Sequence, residues 1–175
     1  NHFDYGNGIA VDESGNVYVT GYSYDTWGTP INPYSGGSDM VVLKLNSSGV
    51  YQWHTFHGSN DFDYVSGIAV DGSGNVYVIG DSLAAWGTPM NPYSGDRDIA
   101  VLKLNSSGVY QWHTFYGSNN CDEGYGIAVD ESGNVYVTGD SDAAWGTPIA
   151  PHSGYDIVVV KLTKVDLSPE EGTIG

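Results

Sequence analysis

Apolar and polar positions alternate in short bursts along this chain, and the bursts recur in a fixed order. Between residues 60 and 118 four apolar runs follow one another: Gly67-Ile68-Ala69-Val70, Asn75-Val76-Tyr77-Val78-Ile79, Ile99-Ala100-Val101-Leu102-Lys103-Leu104 and Val109-Tyr110-Gln111-Trp112-His113-Thr114-Phe115. Each has strand length, is rich in β-branched and aromatic residues, and is bounded by Gly, Asn, Asp or Ser. Asp71-Gly72-Ser73-Gly74 and Asn105-Ser106-Ser107-Gly108 read as tight turns inside the unit. No window carries a 3.6-residue apolar period, so almost no helix is expected.

The unit is written almost three times. Ile9-Ala10-Val11-Asp12 returns at Ile68 and Ile127, and Trp27-Gly28-Thr29-Pro30 at Trp86 and Trp145, each step being 59 residues. A fixed period of this size marks a repeat architecture. With strands labelled A to D, the first two copies hold all four and the third stops after C. Met40-Val41-Val42-Leu43 and Ile157-Val158-Val159-Val160 are apolar on both faces, whereas a strand of a single sandwich layer would alternate. A four-stranded antiparallel unit covered on both sides by like units is a β-propeller blade. The predicted fold class is therefore all-β: blades at 1–59, 60–118 and 119–164, the last lacking its outer strand, with 165–175 a linker or the start of another domain. Propellers close with about 4–8 blades. Three blades leave two open ends, so the remaining blades are expected from a longer parent chain or from a homo-oligomer.

The repeat phrase Gly-Ile-Ala-Val-Asp-x-x-Gly-Asn-Val-Tyr-Val-x-Gly, then Asp-x-x-Val-x-Lys-Leu-Asn-x-x-Gly, then a strand ending Phe-x-Gly-Ser, resembles the SBBP β-propeller repeat over residues 1 to 164. That resemblance implies a large secreted or surface-attached protein of bacteria or archaea, hence an extracellular or cell-surface location. The long connection carrying Trp-Gly-Thr-Pro departs from the family pattern. Val165-Asp166-Leu167-Ser168-Pro169-Glu170-Glu171-Gly172-Thr173-Ile174-Gly175 resembles the opening of an IPT/TIG immunoglobulin-like domain.

Charge narrows the partners. Twenty-one acidic residues face five basic ones, a net charge of −16. Such a field repels phosphate backbones, so nucleic acid is not an expected partner, while cations and basic surfaces are compatible with it. Sixteen acids are Asp, which suits turns and the oxygen coordination of calcium. No run of about 18 apolar residues is present, so no membrane span is predicted. Cys121 is the single cysteine, which excludes an internal disulfide.

Alternating strand direction places the D–A and B–C loops on one face and the A–B and C–D turns on the other. Tyr22–Ser38 is longer than ordinary connections, which makes the long-loop face the expected binding face. Trp27, Trp86 and Trp145, with Tyr34, Tyr93, Asp61 and Asp63, are the candidate ligand contacts, read for sugar stacking. Recurrence of the Trp at every blade favours a packing role for it, pinning each loop. Asp39, Asp98 and Asp156, with the D–A carboxylates, form the candidate calcium site. Asp12, Asp71 and Asp130 are read as turn anchors bonding nearby amides. Lys44, Lys103 and Lys161 are expected to pair with blade carboxylates, and His54 and His113 to be surface residues of the outer strand. No nucleophile elbow, zinc-binding helix motif or phosphate loop is present. Asp122, Glu123 and Asp142 stand out as acids that break the repeat. The expected function is a non-enzymatic surface propeller that binds a glycan, protein or matrix component. The alternatives are a carbohydrate-active enzyme with carboxylates near the axis, and a purely structural stalk.

Overall fold

The computed structural model describes residues 3–149 and 151–163. Every regular element among them is a strand: β1 Asp4–Val11, β2 Val17–Ser23, β3 Asp39–Leu45, β4 Tyr51–His57, β5 Asp63–Val70, β6 Val76–Ser82, β7 Asp98–Leu104, β8 Tyr110–Tyr116, β9 Asp122–Val129, β10 Val135–Ser141 and β11 Asp156–Leu162. They form three antiparallel sheets, β1-β2-β3-β4, β5-β6-β7-β8 and β9-β10-β11. The expected propeller blades are present, the third with three strands among the described residues. The resemblance to an IPT/TIG opening falls on 165–175 and lies outside the described residues.

Strands A and B run further toward the long-loop face than the apolar runs indicate. Asp63 and Tyr64 pair with Ser82 and Asp81, adding polar positions to the apolar ladder of Ile68 and Val78. A bulge near the middle of each A strand accommodates this extension. The facing B-strand residue is always glycine. A Cβ on Gly21, Gly80 or Gly139 would stand 1.7, 1.8 or 2.0 Å from the carbonyl oxygen of Tyr5, Tyr64 or Glu123, so only glycine lets the bulged strand cross there.

Successive blades stack through their first strands, β1 against β5 and β5 against β9, which therefore line the inner edge. Two apolar layers fill the junctions. Tyr18, Met40 and Val42 of the first blade meet Val76, Val78, Ala100 and Leu102 of the second. Tyr77, Ile79, Ile99 and Val101 on the second blade's opposite face meet Val135, Val137 and Leu162 of the third. Complete burial of such side chains contributes about 1.5–3 kcal/mol each, which makes the junctions the main source of stability.

The B–C connection folds back along the outer strand. Ile31 N donates to His54 O at 2.9 Å, Phe56 N to Asn32 O at 3.2 Å, and Asn32 Nδ2 to Phe56 O at 2.7 Å. The free edge of β4 is thereby covered, which protects it from pairing with another chain. This cover buries His54 and His113, each 1% exposed. Both were expected at the surface. The outer strand is the last of the sheet, but the preceding loop lies over it, a relation invisible in the linear pattern. Lys44, Lys103 and Lys161 sit over the rings of Tyr18, Tyr77 and Tyr136 at 4.8, 5.0 and 5.3 Å, using tyrosine faces inside the sheet.

Candidate functional site

The short-turn face is structurally saturated. Asp12 Oδ1 accepts Ser14 N at 3.0 Å and Asn16 N at 2.9 Å, while Oδ2 accepts Asn16 Nδ2 at 2.8 Å and the Tyr18 hydroxyl at 3.1 Å. Asp71 repeats all four contacts. Burial pushes the Asp12 and Asp71 pKa values up, but the donated hydrogen bonds outweigh it and hold both below the ordinary range. These aspartates anchor turns, as the Asp-x-Ser-Gly-Asn phrase indicated.

On the long-loop face the three tryptophans are half-buried and lie toward the outer edge. Trp27 stacks on His54 (3.9 Å between centroids, 10°) and Trp86 on His113 (3.7 Å, 7°), each with a phenylalanine edge against the indole. The histidine Nε2 meets the carbonyl of the same tryptophan at 2.8 Å. Tyr34 reaches the Tyr24 and Gly37 carbonyls at 3.0 and 2.8 Å, and Tyr93 lies edge-on to Phe115. These contacts pin the connection onto its own blade. Trp145, whose sheet has three strands among the described residues, turns its Nε1 to Asp122 Oδ1 at 2.9 Å and Ser141 Oγ at 3.1 Å.

The candidate aspartates divide. Asp61 is exposed on the D–A loop, and its main-chain oxygen accepts Ser38 N at 3.2 Å. Asp63 is fully buried and lies beside the equally buried Asp39, and Asp122 beside Asp98, at the two blade junctions. Asp156, at the open end, is half-exposed. Asp122 was expected to break the repeat. It is the third copy of Asp4 and Asp63, each opening an A strand.

What the structure adds is a row of side chains near the inner edge, of which only Glu123 stood out in the sequence. The second residue of strand A pairs with the sixth of strand B in every blade: Tyr5 with Tyr22, Tyr64 with Asp81, Glu123 with Asp140. Beneath this level the blades are nearly identical, whereas here the chemistry changes from aromatic through mixed to acidic. The row is continuous. Tyr5 stacks on Tyr22 at 4.9 Å, Tyr22 meets the Tyr64 ring edge-on at 5.1 Å, and Arg97 lies 5.5 Å over the Tyr64 ring. Arg97 Nε binds Asp81 Oδ2 at 2.6 Å and its Nη1 binds Glu123, joining the second blade to the third. Tyr125 donates to Glu123 Oε2 at 2.6 Å and lies 3.0 Å from Asp140 Oδ2. Phe3, Tyr24 and Phe62 widen the aromatic end, with Phe3 60% and Tyr5 46% exposed.

Electrostatics mark the middle of the row. Burial pushes the Asp81 carboxyl up to about 6 against the opposing pull of Arg97. Burial pulls the Arg97 pKa down, but Asp81 and Glu123 overcome this and raise it. Burial and the neighbouring Tyr24 raise Tyr64 to about 12, so its hydroxyl stays a neutral donor. The signal that could have revealed the row was present in the sequence, since superposing the three copies places Tyr5, Tyr64 and Glu123 in register.

The Beta-propeller repeat family, SBBP, matches this chain at residues 4–28, 52–85 and 111–144, which together cover more than half of it. The second and third matches stop just before Trp86 and Trp145, leaving those B–C connections outside them. No curated protein matches the chain.

Proposed function

The chain belongs to the SBBP β-propeller repeat family, and we propose that it is a non-enzymatic, glycan-binding module of a secreted or cell-surface protein, with the Tyr5–Tyr22–Tyr64–Arg97–Glu123 row as its ligand site. One observation carries this reading. On a scaffold of repeated blades, most of the residues whose chemical class changes from copy to copy are gathered toward one face, Glu13/Gly72 and Thr20/Ile79 being exceptions. Repeat scaffolds present binding surfaces in this way, and loops held by rigid elements are where binding residues concentrate. Partly exposed aromatic rings offer flat apolar faces for the C–H faces of a sugar, with hydroxyl donors at their rims. The adjoining carboxylates and guanidinium offer acceptors and donors to its hydroxyl groups. A net charge of −16 disfavours acidic polymers and favours neutral or amino sugars.

A unique carboxylate pair near the inner edge was the feature expected of a glycosidase; Glu123 occurs in one blade only, but Asp81 recurs as Asp140, so Asp81 with Glu123 meets that expectation only in part. Arg97 bridges the two and holds both as ionic partners. General-acid catalysis needs one of them protonated and facing the substrate, so this geometry supports binding over hydrolysis.

Glycan-array screening of the protein, followed by calorimetry with the best ligand, tests the reading. Tyr22→Ala and Tyr64→Ala are expected to weaken binding at least tenfold with an unchanged far-UV spectrum. Lys161→Ala, at the far end of the third blade, should leave it unchanged. Binding that survives both tyrosine changes would overturn the site, and sugar release by the unmodified protein would overturn the non-enzymatic assignment.

A further inference from the structure

Each complete blade junction holds a second feature, separate from the inner row. Asp39 opens β3 and Asp63 opens β5 of the next blade, and both are 0% exposed. Asp63 is satisfied: the Ser82 hydroxyl donates to Oδ1, while Ser59 N and Oγ donate to Oδ2 at 2.6 and 2.9 Å. Asp39 is not. Its Oδ2 accepts Ser35 N at 2.6 Å, whereas its buried Oδ1 has no hydrogen-bond partner among the described residues. The two carboxylates converge over Gly58, where a Cβ would stand 2.6 Å from Asp63 Oδ2 and 2.8 Å from Asp39 Oδ1.

The next junction repeats the arrangement. Asp122 Oδ2 accepts Ser118 N and Oγ at 2.6 and 2.9 Å, and Asp98 Oδ2 accepts Ser94 N at 2.6 Å. Asp98 Oδ1 is again buried without a partner among the described residues, and a Cβ on Gly117 would lie 2.7 Å from both Asp98 Oδ1 and Asp122 Oδ2. A desolvated carboxylate oxygen that faces a second carboxylate and lacks a donor is strongly unfavourable by itself. The same atom left unpaired at both equivalent positions is a property of the junction rather than of one loop.

We propose that each junction binds a calcium ion, one held by Asp39 and Asp63 and the other by Asp98 and Asp122. The converging donors are all oxygen, the preference of a hard cation, and calcium's usual six to eight ligands would be completed by backbone carbonyls and water. Among the described residues no group of three or more His, Cys, Asp and Glu could hold a metal. Each site therefore rests on two carboxylates, which places its affinity near that of extracellular calcium modules, about 10⁻⁴–10⁻³ M. The ion would tie strand C of one blade to strand A of the next, alongside the direct Asp63 N to Ser38 O bond at 2.7 Å. Burial raises the carboxyls of Asp39 to about 7 and of Asp98 to about 6, in keeping with sites that lack a compensating positive charge.

Calorimetric titration of EDTA-stripped protein with calcium chloride at pH 7.5, with thermal unfolding in calcium and in EDTA, tests this. Two ions per chain and a rise in Tm of about 5 °C at saturation are expected. Asp39→Asn and Asp98→Asn each keep the side-chain shape and the serine contact, and each should lower the stoichiometry to one. Asp61→Asn, on the exposed loop, should leave two. The proposal fails if the unmodified protein binds no calcium. It also fails if both single variants still take two ions, which would assign binding to the acidic surface at large. It fails equally if Tm responds to pH but not to calcium, which would show that the paired carboxyls share a proton. None of these readouts depends on the glycan site.

Discussion

The second and third blades are written in nearly the same residues yet live in different surroundings. Ile99 and Val101 of β7 are 0% exposed, whereas their counterparts Ile157 and Val159 of β11 are 84% and 72% exposed. The middle blade is covered on both faces. The third is covered only on the face that carries Val135, Val137 and Leu162. The first blade shows the reverse asymmetry, with Ile9 and Val11 exposed at 69% and 61% while Ile68 and Val70 of the second blade pack into the junction. Burial in this molecule is therefore assigned by the neighbour, not by the strand. The two bare faces are the halves of one junction, bearing the same residues that meet at the two closed junctions.

Two changes would break or sharpen that contrast. The largest effect is expected from Val101→Asp, which places an unpaired charge in a closed junction and should abolish cooperative unfolding, at a cost of more than about 4 kcal/mol. Val159→Asp, its counterpart on a bare face, should alter stability by no more than about 0.5 kcal/mol and lower any self-association seen by light scattering. Equal effects of the two would refute the difference in burial.

The outer edge gives the next contrast. Trp86→Ala removes an indole stacked on His113 and edged by Phe115 and should cost about 3–5 kcal/mol in denaturant unfolding. Trp145→Ala removes contacts at a blade with three described strands and should cost about 1–2 kcal/mol. The same change that moves the curve modestly at 145 should thus loosen the whole B–C connection at 86.

The smallest effect is a pH dependence in EDTA. Burial raises Asp39 to about 7 and Asp63 to about 6 from the ordinary 3.8, so the folded protein holds protons that the unfolded chain releases. Their contribution is complete below pH 3.8 and is lost as pH rises through 6 and 7. Burial lowers His57 and His113 to about 4 from 6.5, a contribution that is complete well above pH 6.5 and lost as pH falls. The unfolded histidines are half protonated at pH 6.5, so their contribution still grows by about 0.4 kcal/mol each up to pH 8 and offsets a carboxyl loss of about 1 kcal/mol. Between pH 6.5 and 8 stability should therefore change by less than about 0.5 kcal/mol. Asp39→Asn removes most of the loss and should leave a net rise of about 0.5 kcal/mol across that window.

How much of this was legible depends on distance along the chain. The turn anchored by Asp12 closes within six residues, through Ser14, Asn16 and Tyr18, so its role could be read from composition. The burial of His54 could not, because it arises from a loop that contacts β4 across 27 residues. Asp39 and Asp63, 24 residues apart, meet only once one blade has stacked on the next. The inner row is a mixed case. Its members were visible as departures from the repeat, but their union through Arg97 was not.

The sequence by itself determined the strands, the turns, the period and hence the blade, because each follows from local propensity and from side-chain alternation over a few residues. Tertiary structure decided which of two identical strand faces is buried, which aspartates share a junction and which aromatics join the inner row. Those outcomes depend on contacts between blades, and a repeated sequence, being the same in every copy, carries no information about which copies have neighbours.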